Sequence, residues 1–283
     1  MKIIECPRDA MQGLPEFIPT EVKVRYINQL LQVGFHTVDF GSFVSPKAIP
    51  QMKDTAEVLA QLDWQTSSSK LLAIVANFRG ATEACRHEGI TYLGFPLSIS
   101  ETFQLRNTNK SIAEALNEVN EIQELCTQKR KELVCYISMG FGNPYGDPYD
   151  ESLVGQFIDI LRTIGVRIIS LADTIGAANP NQISRLFKQL VSDFPALELG
   201  VHLHSQPATA REKIEAAYRA GCKRFDSALK GFGGCPMAKD ELVGNIATET
   251  LLNYLEDEGA FPSLNKAAYE QSLLIAQEVF PVR

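Results

Sequence analysis

Short apolar runs alternate with longer amphipathic stretches along the whole chain. A compact apolar run bounded by turn residues reads as a buried strand. A stretch of a dozen residues with apolar positions three and four apart reads as a helix packed on one face. By this rule strands fall over Lys2–Cys6, Thr37–Phe40, Leu71–Ala76, Tyr92–Pro96, Leu133–Met139, Val166–Ala172, Leu199–His204 and Arg224–Ala228. Helices fall between them over Glu21–Val33, Ser111–Lys131, Glu151–Ile164, Asn181–Asp193 and Thr209–Ala220, several preceded by Pro, Thr, Ser or Asp as start signals. Thr248–Glu258 and Leu264–Val279 follow the last strand as two further helices.

Strand and helix alternate without a gap long enough for a linker, so residues 1–283 are expected to form a single domain with a parallel sheet. The strand count and one unbroken pattern of about 250 residues fit an α/β fold of the (β/α)8 TIM-barrel type better than an open doubly wound sheet. No Gly-x-Gly-x-x-Gly follows the first strand, which removes the main support for a dinucleotide-binding fold.

Composition narrows the class further. Apolar residues make up 45% and charged residues 22%, close to the soluble globular average, which excludes disordered and low-complexity architectures. No apolar run approaches the roughly 18 residues that span a bilayer, and Met1-Lys2 leads directly into Ile3-Ile4-Glu5 without a signal-peptide core. The expectation is an unexported cytoplasmic protein without a membrane partner. With 27 basic against 34 acidic residues the net charge is −7, and no Lys/Arg cluster interleaves with aromatics. A nucleic-acid partner is therefore not expected, and an anionic ligand would need local basic groups. The six cysteines show no Cys-x-x-Cys spacing, as in a reducing compartment, so most are expected to be buried. Cys235 differs, because Gly231-Phe232-Gly233-Gly234-Cys235-Pro236 is too flexible for a core strand.

In a barrel of this type the active site lies at the C-terminal ends of the strands, and polar residues gather there. The first strand ends in Pro7-Arg8-Asp9, the second contains Asp39 and runs into Gly41-Ser42, the sixth ends Asp173-Thr174, and the seventh ends His202-Leu203-His204. Two of the four histidines thus stand at i and i+2 on one strand, facing the same side, where both imidazoles can reach one cation. A hydrogen-bonded histidine pair is the plainer reading, and the pairing of half the histidines in one strand favours the ligand reading. Arg8 and Asp9 could form an ordinary surface ion pair. Their position after the first strand instead suits a carboxylate completing a metal site and a guanidinium stabilising negative charge on oxygen. Asp39 reads equally as a turn-forming Asp or a site residue. Asn245 reads as a helix N-cap or as an amide-oxygen ligand for a hard cation. Cys235 reads as part of a flexible turn or as a thiol on a hinged loop able to move a proton.

Taken together, Glu5-Cys6-Pro7-Arg8-Asp9-Ala10-Met11-Gln12, Ser42-Phe43-Val44-Ser45-Pro46-Lys47-Ala48-Ile49-Pro50-Gln51-Met52, Ser170-Leu171-Ala172-Asp173-Thr174-Ile175-Gly176, Val201-His202-Leu203-His204 and Gly231–Pro236 resemble the 3-hydroxy-3-methylglutaryl-CoA (HMG-CoA) lyases. The resemblance covers nearly the whole chain. The Arg-Asp and His-x-His elements are shared across a superfamily of metal-dependent barrel lyases and condensing enzymes. The Ser-Phe-Val-Ser-Pro-Lys stretch and the Gly-Gly-Cys-Pro loop are specific to the lyase branch.

The resemblance implies a divalent cation, Mg2+ or Mn2+, held by Asp9, His202, His204 and Asn245. It implies retro-Claisen cleavage of an acyl-CoA, with Arg8 sharing the negative charge and Cys235 donating a proton. His202, or a base network including Asp39, takes the hydroxyl proton. Substrate contacts are implied for Arg8, Gln12, Ser42, Lys47 and Thr174, and a homodimer is implied as the assembly. Lys47, Lys230 and Lys239 would supply local positive charge for the anionic thioester, although lysine is by default a solvated surface residue.

The chain departs from the family in four places near the chemistry. Asp39 stands where the family carries Glu, and the side chain, shorter by one methylene, is expected to cost Arg8 a partner. Ser205-Gln206-Pro207 replaces an Asp-Thr segment. Asp240-Glu241-Leu242-Val243 is longer and more acidic than the usual stretch, and Gly13-Leu14-Pro15-Glu16 replaces an Asn-Glu-Lys-like one. These departures motivate a second reading, the same barrel and metal acting on another 3-hydroxyacyl-CoA or a 2-oxoacid. A third, an acyl-CoA-binding homologue without turnover, is disfavoured by the presence of all four implied ligands and Cys235.

Overall fold

Every predicted strand is present, within two residues of its expected start. The computed structural model describes residues 1–234 and 243–280. Eight strands, β1 (Lys2–Glu5), β2 (Thr37–Ser42), β3 (Lys70–Ile74), β4 (Ile90–Ser98), β5 (Glu132–Ser138), β6 (Ile168–Asp173), β7 (Glu198–Leu203) and β8 (Arg224–Ser227), pair in sequence order and close on themselves as a parallel barrel. The fold is a (β/α)8 TIM barrel. Its helices are α1 (Pro7–Gln12), α2 (Thr20–Val33), α3 (Thr55–Leu59), α4 (Phe78–Ala84), α5 (Glu101–Thr108), α6 (Ile112–Lys129), α7 (Glu151–Ile164), α8 (Pro180–Asp193), α9 (Pro207–Arg219), α10 (Thr248–Asp257) and α11 (Lys266–Val279). No described helix is long and apolar enough to cross a membrane.

Alternation along each strand separates two apolar populations. Outward residues such as Leu71, Ala73, Leu93 and Ile169 join the main core under the helices. Leu72, Tyr92, Val134, Tyr136 and Ile168 form a separate cluster inside the barrel. Val134 and Ile168 are almost wholly buried, and burial of each such side chain contributes roughly 1.5–3 kcal/mol. Arg224 shares the interior and is completely buried. It fits because β7 carries Gly200 opposite it, where an added Cβ would stand 2.9 Å from the Arg224 side chain.

Local rules explain the elements that frame the barrel mouth. The six-residue α1 begins with Pro7, whose fixed φ and missing N–H suit the first helical position. Helix α6 opens with a capping box, the Ser111 hydroxyl accepting from the Glu114 N–H while the Glu114 carboxylate accepts from the Ser111 N–H. Helix α7 occupies the predicted bounds and ends at Gly165 in the left-handed region. Four of the five described cysteines are buried and Cys85 is half-buried.

Parallel register sets the heights of the polar side chains. Ala172 of β6 lies level with His202 of β7, His202 with Asp226 of β8, and Asp226 with Ile4 of β1. Closure of β1 on β8 therefore brings the residues that follow β1 beside those of β7 and β8.

Candidate active site

Arg8 and Asp9 are not strand residues but occupy the first turn of α1, immediately beyond β1. Both are buried. Arg8 directs Nη1 to Asp9 Oδ1 at 2.9 Å, while its Nε and Nη2 lie 3.0 and 2.5 Å from Asp39 Oδ2. Asp39 thus keeps Arg8 as a partner despite its shorter side chain, because β2 carries it on the barrel wall facing the guanidinium. It is a strand residue and not a turn former. Burial raises its carboxyl to about 6 even against the neighbouring positive charge.

Asp9 has four further neighbours. Gln12 donates to Oδ1 from 2.9 Å, Asn245 Nδ2 donates to Oδ2 from 2.6 Å, and His202 Nε2 stands 4.0 Å from Oδ2. His204 completes the group, and the coordinating atoms of Asp9, His202 and His204 lie within 4.8 Å of one another. Burial alone would raise the Asp9 carboxyl, but Arg8, the two imidazoles and the Asn245 hydrogen bond outweigh it and hold it below the usual range.

His202 belongs to β7, and His204 lies one residue past its end, where its backbone bridges to Asn245. Their Nε2 atoms approach to 3.1 Å. The two rings are electrically unlike. His202 turns Nδ1 to Asp226 Oδ2 at 3.2 Å, and this partner, aided by Asp9, raises its pKa against the opposing effect of burial. Burial, followed by the charge of His202, pushes His204 down to about 3, so this ring is neutral at physiological pH.

Asn245 is not the cap of α10, which begins after Ala247. It is buried, and its amide nitrogen donates both to Asp9 Oδ2 and, at 2.9 Å, to the Phe232 carbonyl. In this arrangement it supports the carboxylate, with the amide nitrogen rather than the oxygen facing Asp9. The glycine loop reaches the same point. At Gly233, with φ of +106°, an added Cβ would stand 3.1 Å from Asp9 Oδ2, so only glycine permits the approach. Cys235 and Lys239 lie outside the described residues.

A cavity of about 480 Å³ opens beside this cluster. Gln12, Ser42 and Thr174 line it together with Arg8, Asp9, Asp39, His202 and His204. The Thr174 hydroxyl accepts from the Met139 N–H at 2.9 Å, and the Ser42 hydroxyl donates to the Ile74 carbonyl at 3.3 Å. Val44, Ile49, Ile74 and Phe103 form an apolar wall, and Arg106 and Lys110 stand among the lining residues contributed by the α5–α6 segment. Lys47 and Lys230 are exposed and are not among the lining residues.

Two charged residues behave differently from their strand-end positions. Asp173 does not join the cluster. It accepts from the Ala178 N–H and from the buried Lys213, whose Nζ also donates to the carbonyls of Gly176 and His204. Asp226, absent from the sequence reading, sits beneath His202 with its side chain fully buried. The rule that drew attention to the ends of strands one, two, six and seven applies equally to this carboxylate in strand eight.

A closed barrel with a carboxylate and two imidazoles converging at the C-terminal ends of its strands belongs to the class of TIM-barrel enzymes equipped to bind a metal ion. The HMGL-like family model matches residues 2–275, and the chain belongs to that family. It is 35% identical over 250 residues to the hydroxymethylglutaryl-CoA lyase of Bacillus subtilis, covering 88% of this chain and 83% of the relative. It is 34% identical over 256 residues to a 3-hydroxy-3-isohexenylglutaryl-CoA/hydroxymethylglutaryl-CoA lyase of Pseudomonas aeruginosa, covering 90% and 84%. An HMG-CoA lyase from Acinetobacter baumannii, solved in complex with coenzyme A and 3-methylmalate, superposes with a TM-score of 0.90 at 32% identity, covering 98% of this chain and 90% of that one.

Proposed function

We propose that the chain is a divalent-metal-dependent carbon–carbon lyase that cleaves 3-hydroxy-3-methylglutaryl-CoA to acetoacetate and acetyl-CoA. The observation that carries the reading is the convergence of Asp9, His202 and His204 on the cavity that Arg8 and Asp39 also line. The donor set fits a divalent cation, with one ionised carboxylate and two imidazole nitrogens directed to one point. Water or substrate oxygens, and Asn245 once its amide is turned to present the oxygen, would complete the shell of Mg2+ or Mn2+. When bound, such an ion supplies Lewis-acid polarisation of the substrate oxygens.

In the cleavage the C3 hydroxyl loses its proton and the C2–C3 bond breaks. C3 becomes the ketone of acetoacetate, and the bonding pair remains on C2 as the enolate of acetyl-CoA, which then takes up a proton. Arg8, fixed on both sides by Asp9 and Asp39, is preorganised to stabilise the developing oxyanion. His202 has Nδ1 committed to Asp226 and Nε2 to the ligand cluster. Asp39 is therefore the proposed acceptor of the hydroxyl proton, with a pKa near the working range. Cys235 is the proposed donor to C2. Arg106 offers the negatively charged thioester positive charge at the cavity, where the neighbouring Lys110 is ion-paired with Glu118.

The test is release of acetyl-CoA from HMG-CoA by the purified protein with Mg2+ or Mn2+. Substituting His204→Ala is expected to lower kcat/KM by on the order of 10³-fold, the loss of a few kcal/mol of transition-state stabilisation. Undiminished turnover by that variant rules the proposal out. The apolar wall of Val44, Ile49, Ile74 and Phe103 favours one second reading, a substrate with a larger group at C3. A panel of 3-hydroxy-3-alkylglutaryl-CoA thioesters ranks the two by kcat/KM.

A further inference from the structure

We propose that Asp226 is a positioning residue: by holding Nδ1–H of His202, it fixes the tautomer in which Nε2 presents a lone pair to the Asp9–His204 cluster. The proposal rests on the metal-dependent lyase reading above and assigns a role to a residue which that reading does not use.

Four observations support it. The carboxylate is rigidly placed, because Asp226 lies on β8 in register with His202 and its side chain has no solvent exposure. Its Oδ2 is 3.2 Å from His202 Nδ1, while the other ring nitrogen of His202 is 3.1 Å from His204 Nε2. One ring therefore contacts a carboxylate on one side and a prospective ligand on the other. An imidazole carries one proton when neutral, and a carboxylate can only accept, so Asp226 holds that proton on Nδ1. The free lone pair is then on Nε2, the nitrogen directed at Asp9.

The surroundings keep this arrangement in place. Arg224 stands two residues earlier on the same strand and on the same interior face, placing a guanidinium below the carboxylate. The Tyr136 ring packs edge-on against His202, with centroids 5.8 Å apart and planes at 81°, which restricts ring rotation. Cys6 also lies within 4.8 Å of His202 and Asp226, but its thiol is directed to the Ile4 carbonyl at 3.6 Å. In metalloproteins such a carboxylate behind a ligating imidazole typically changes metal affinity by about 10–100-fold.

The decisive measurement is the ¹⁵N tautomer state of His202 in metal-free wild-type protein at alkaline pH, where the ring is neutral, assigned by loss of its signals in His202→Gln. The Nδ1–H form is expected. Asp226→Asn, which offers His202 an amide able to donate as well as accept, is expected to shift the ring toward Nε2–H and to weaken Mn2+ binding by about 10–100-fold in calorimetry. Asp226→Glu keeps a carboxylate and is expected to restore part of the affinity. Three results overturn the proposal: an Nε2–H tautomer in the wild type, an Asn variant that binds Mn2+ as tightly as the wild type, or a second equivalent of Mn2+ that is lost on Cys6→Ser. The tautomer is read in the wild type without metal or substrate, so it does not depend on whether Asp226→Asn or Asp226→Glu folds. A wild-type protein with the Nδ1–H form that binds no Mn2+ sinks the lyase reading instead.

Discussion

The most informative single residue outside the reaction centre is Glu5. It is completely buried between β1 and the segment that follows β8, where Oε1 accepts from the Leu229 N–H at 2.8 Å and Oε2 faces the Thr248 hydroxyl at 2.6 Å. Burial dominates over these hydrogen bonds and raises its pKa from 4.5 to about 8. The folded protein therefore holds a proton here that the unfolded chain releases above pH 4.5. The favourable contribution is complete below that pH and is lost as pH rises through about 8. Glu5→Gln is neutral at every pH and keeps an acceptor for Leu229. Its unfolding free energy relative to wild type is expected to rise by on the order of a few kcal/mol between pH 5 and pH 9 in urea denaturation. A difference independent of pH would place an ionised carboxylate at this position throughout.

Residue-scale chemistry was only partly legible in the sequence. His202 and His204 could be assigned to one face because strand alternation is a local rule. Asp226 could not be paired with His202, because inter-strand register depends on how the barrel closes. Asn245 resembled an N-cap, since residues ahead of a helix commonly are. Its actual position is set by the backbone bridge to His204, a contact across many residues that no local pattern encodes.

At the scale of elements, α9 acts as more than a crossover. Lys213 reaches from it beneath the ends of β6 and β7 and donates to Asp173, Gly176 and His204. Both charged side chains are nearly inaccessible, 5% for Lys213 and 1% for Asp173, so loss of one partner leaves the other unpaired in the interior. Lys213→Met is expected to cost about 3–5 kcal/mol of stability, measured by urea denaturation. Adding Asp173→Asn should recover part of the loss. Additive losses in the double variant would show that the two residues do not act as a pair.

Element boundaries were legible where periodicity is long. Helix α7 matches its predicted range, and α2 and α8 differ by one residue at the start. The strand predicted from Val166 begins at Ile168, because the Val166 N–H still bonds back to Leu161 and completes the turn after α7. Helices α1, α3, α4 and α5 are not among the expected ranges, because five to eight residues are too few to show a helical period. Of these, α1 changes how the site is built, since Arg8 and Asp9 project from a helix end rather than a strand end.

At the scale of the whole molecule, the proposed cation should stabilise the barrel, since its ligands come from both ends of the chain and are apart when unfolded. At a free concentration about 100 times the dissociation constant the expected gain is about 2.7 kcal/mol, seen as a rise in Tm of several degrees with Mg2+ or Mn2+. His204→Ala should abolish the rise. A wild-type Tm unaffected by either ion at millimolar concentration would count against the site.

Pairing between β1 and β8 has a temporal consequence. Asp9 emerges early in synthesis, whereas His202, His204 and Asn245 arrive only after most of the polypeptide has been made. The ring is sealed by joining its oldest and youngest staves, and only then do all these groups meet. A nascent chain cannot trap an ion at this point prematurely, and a truncated product lacking the last stave is barred from forming the same nest.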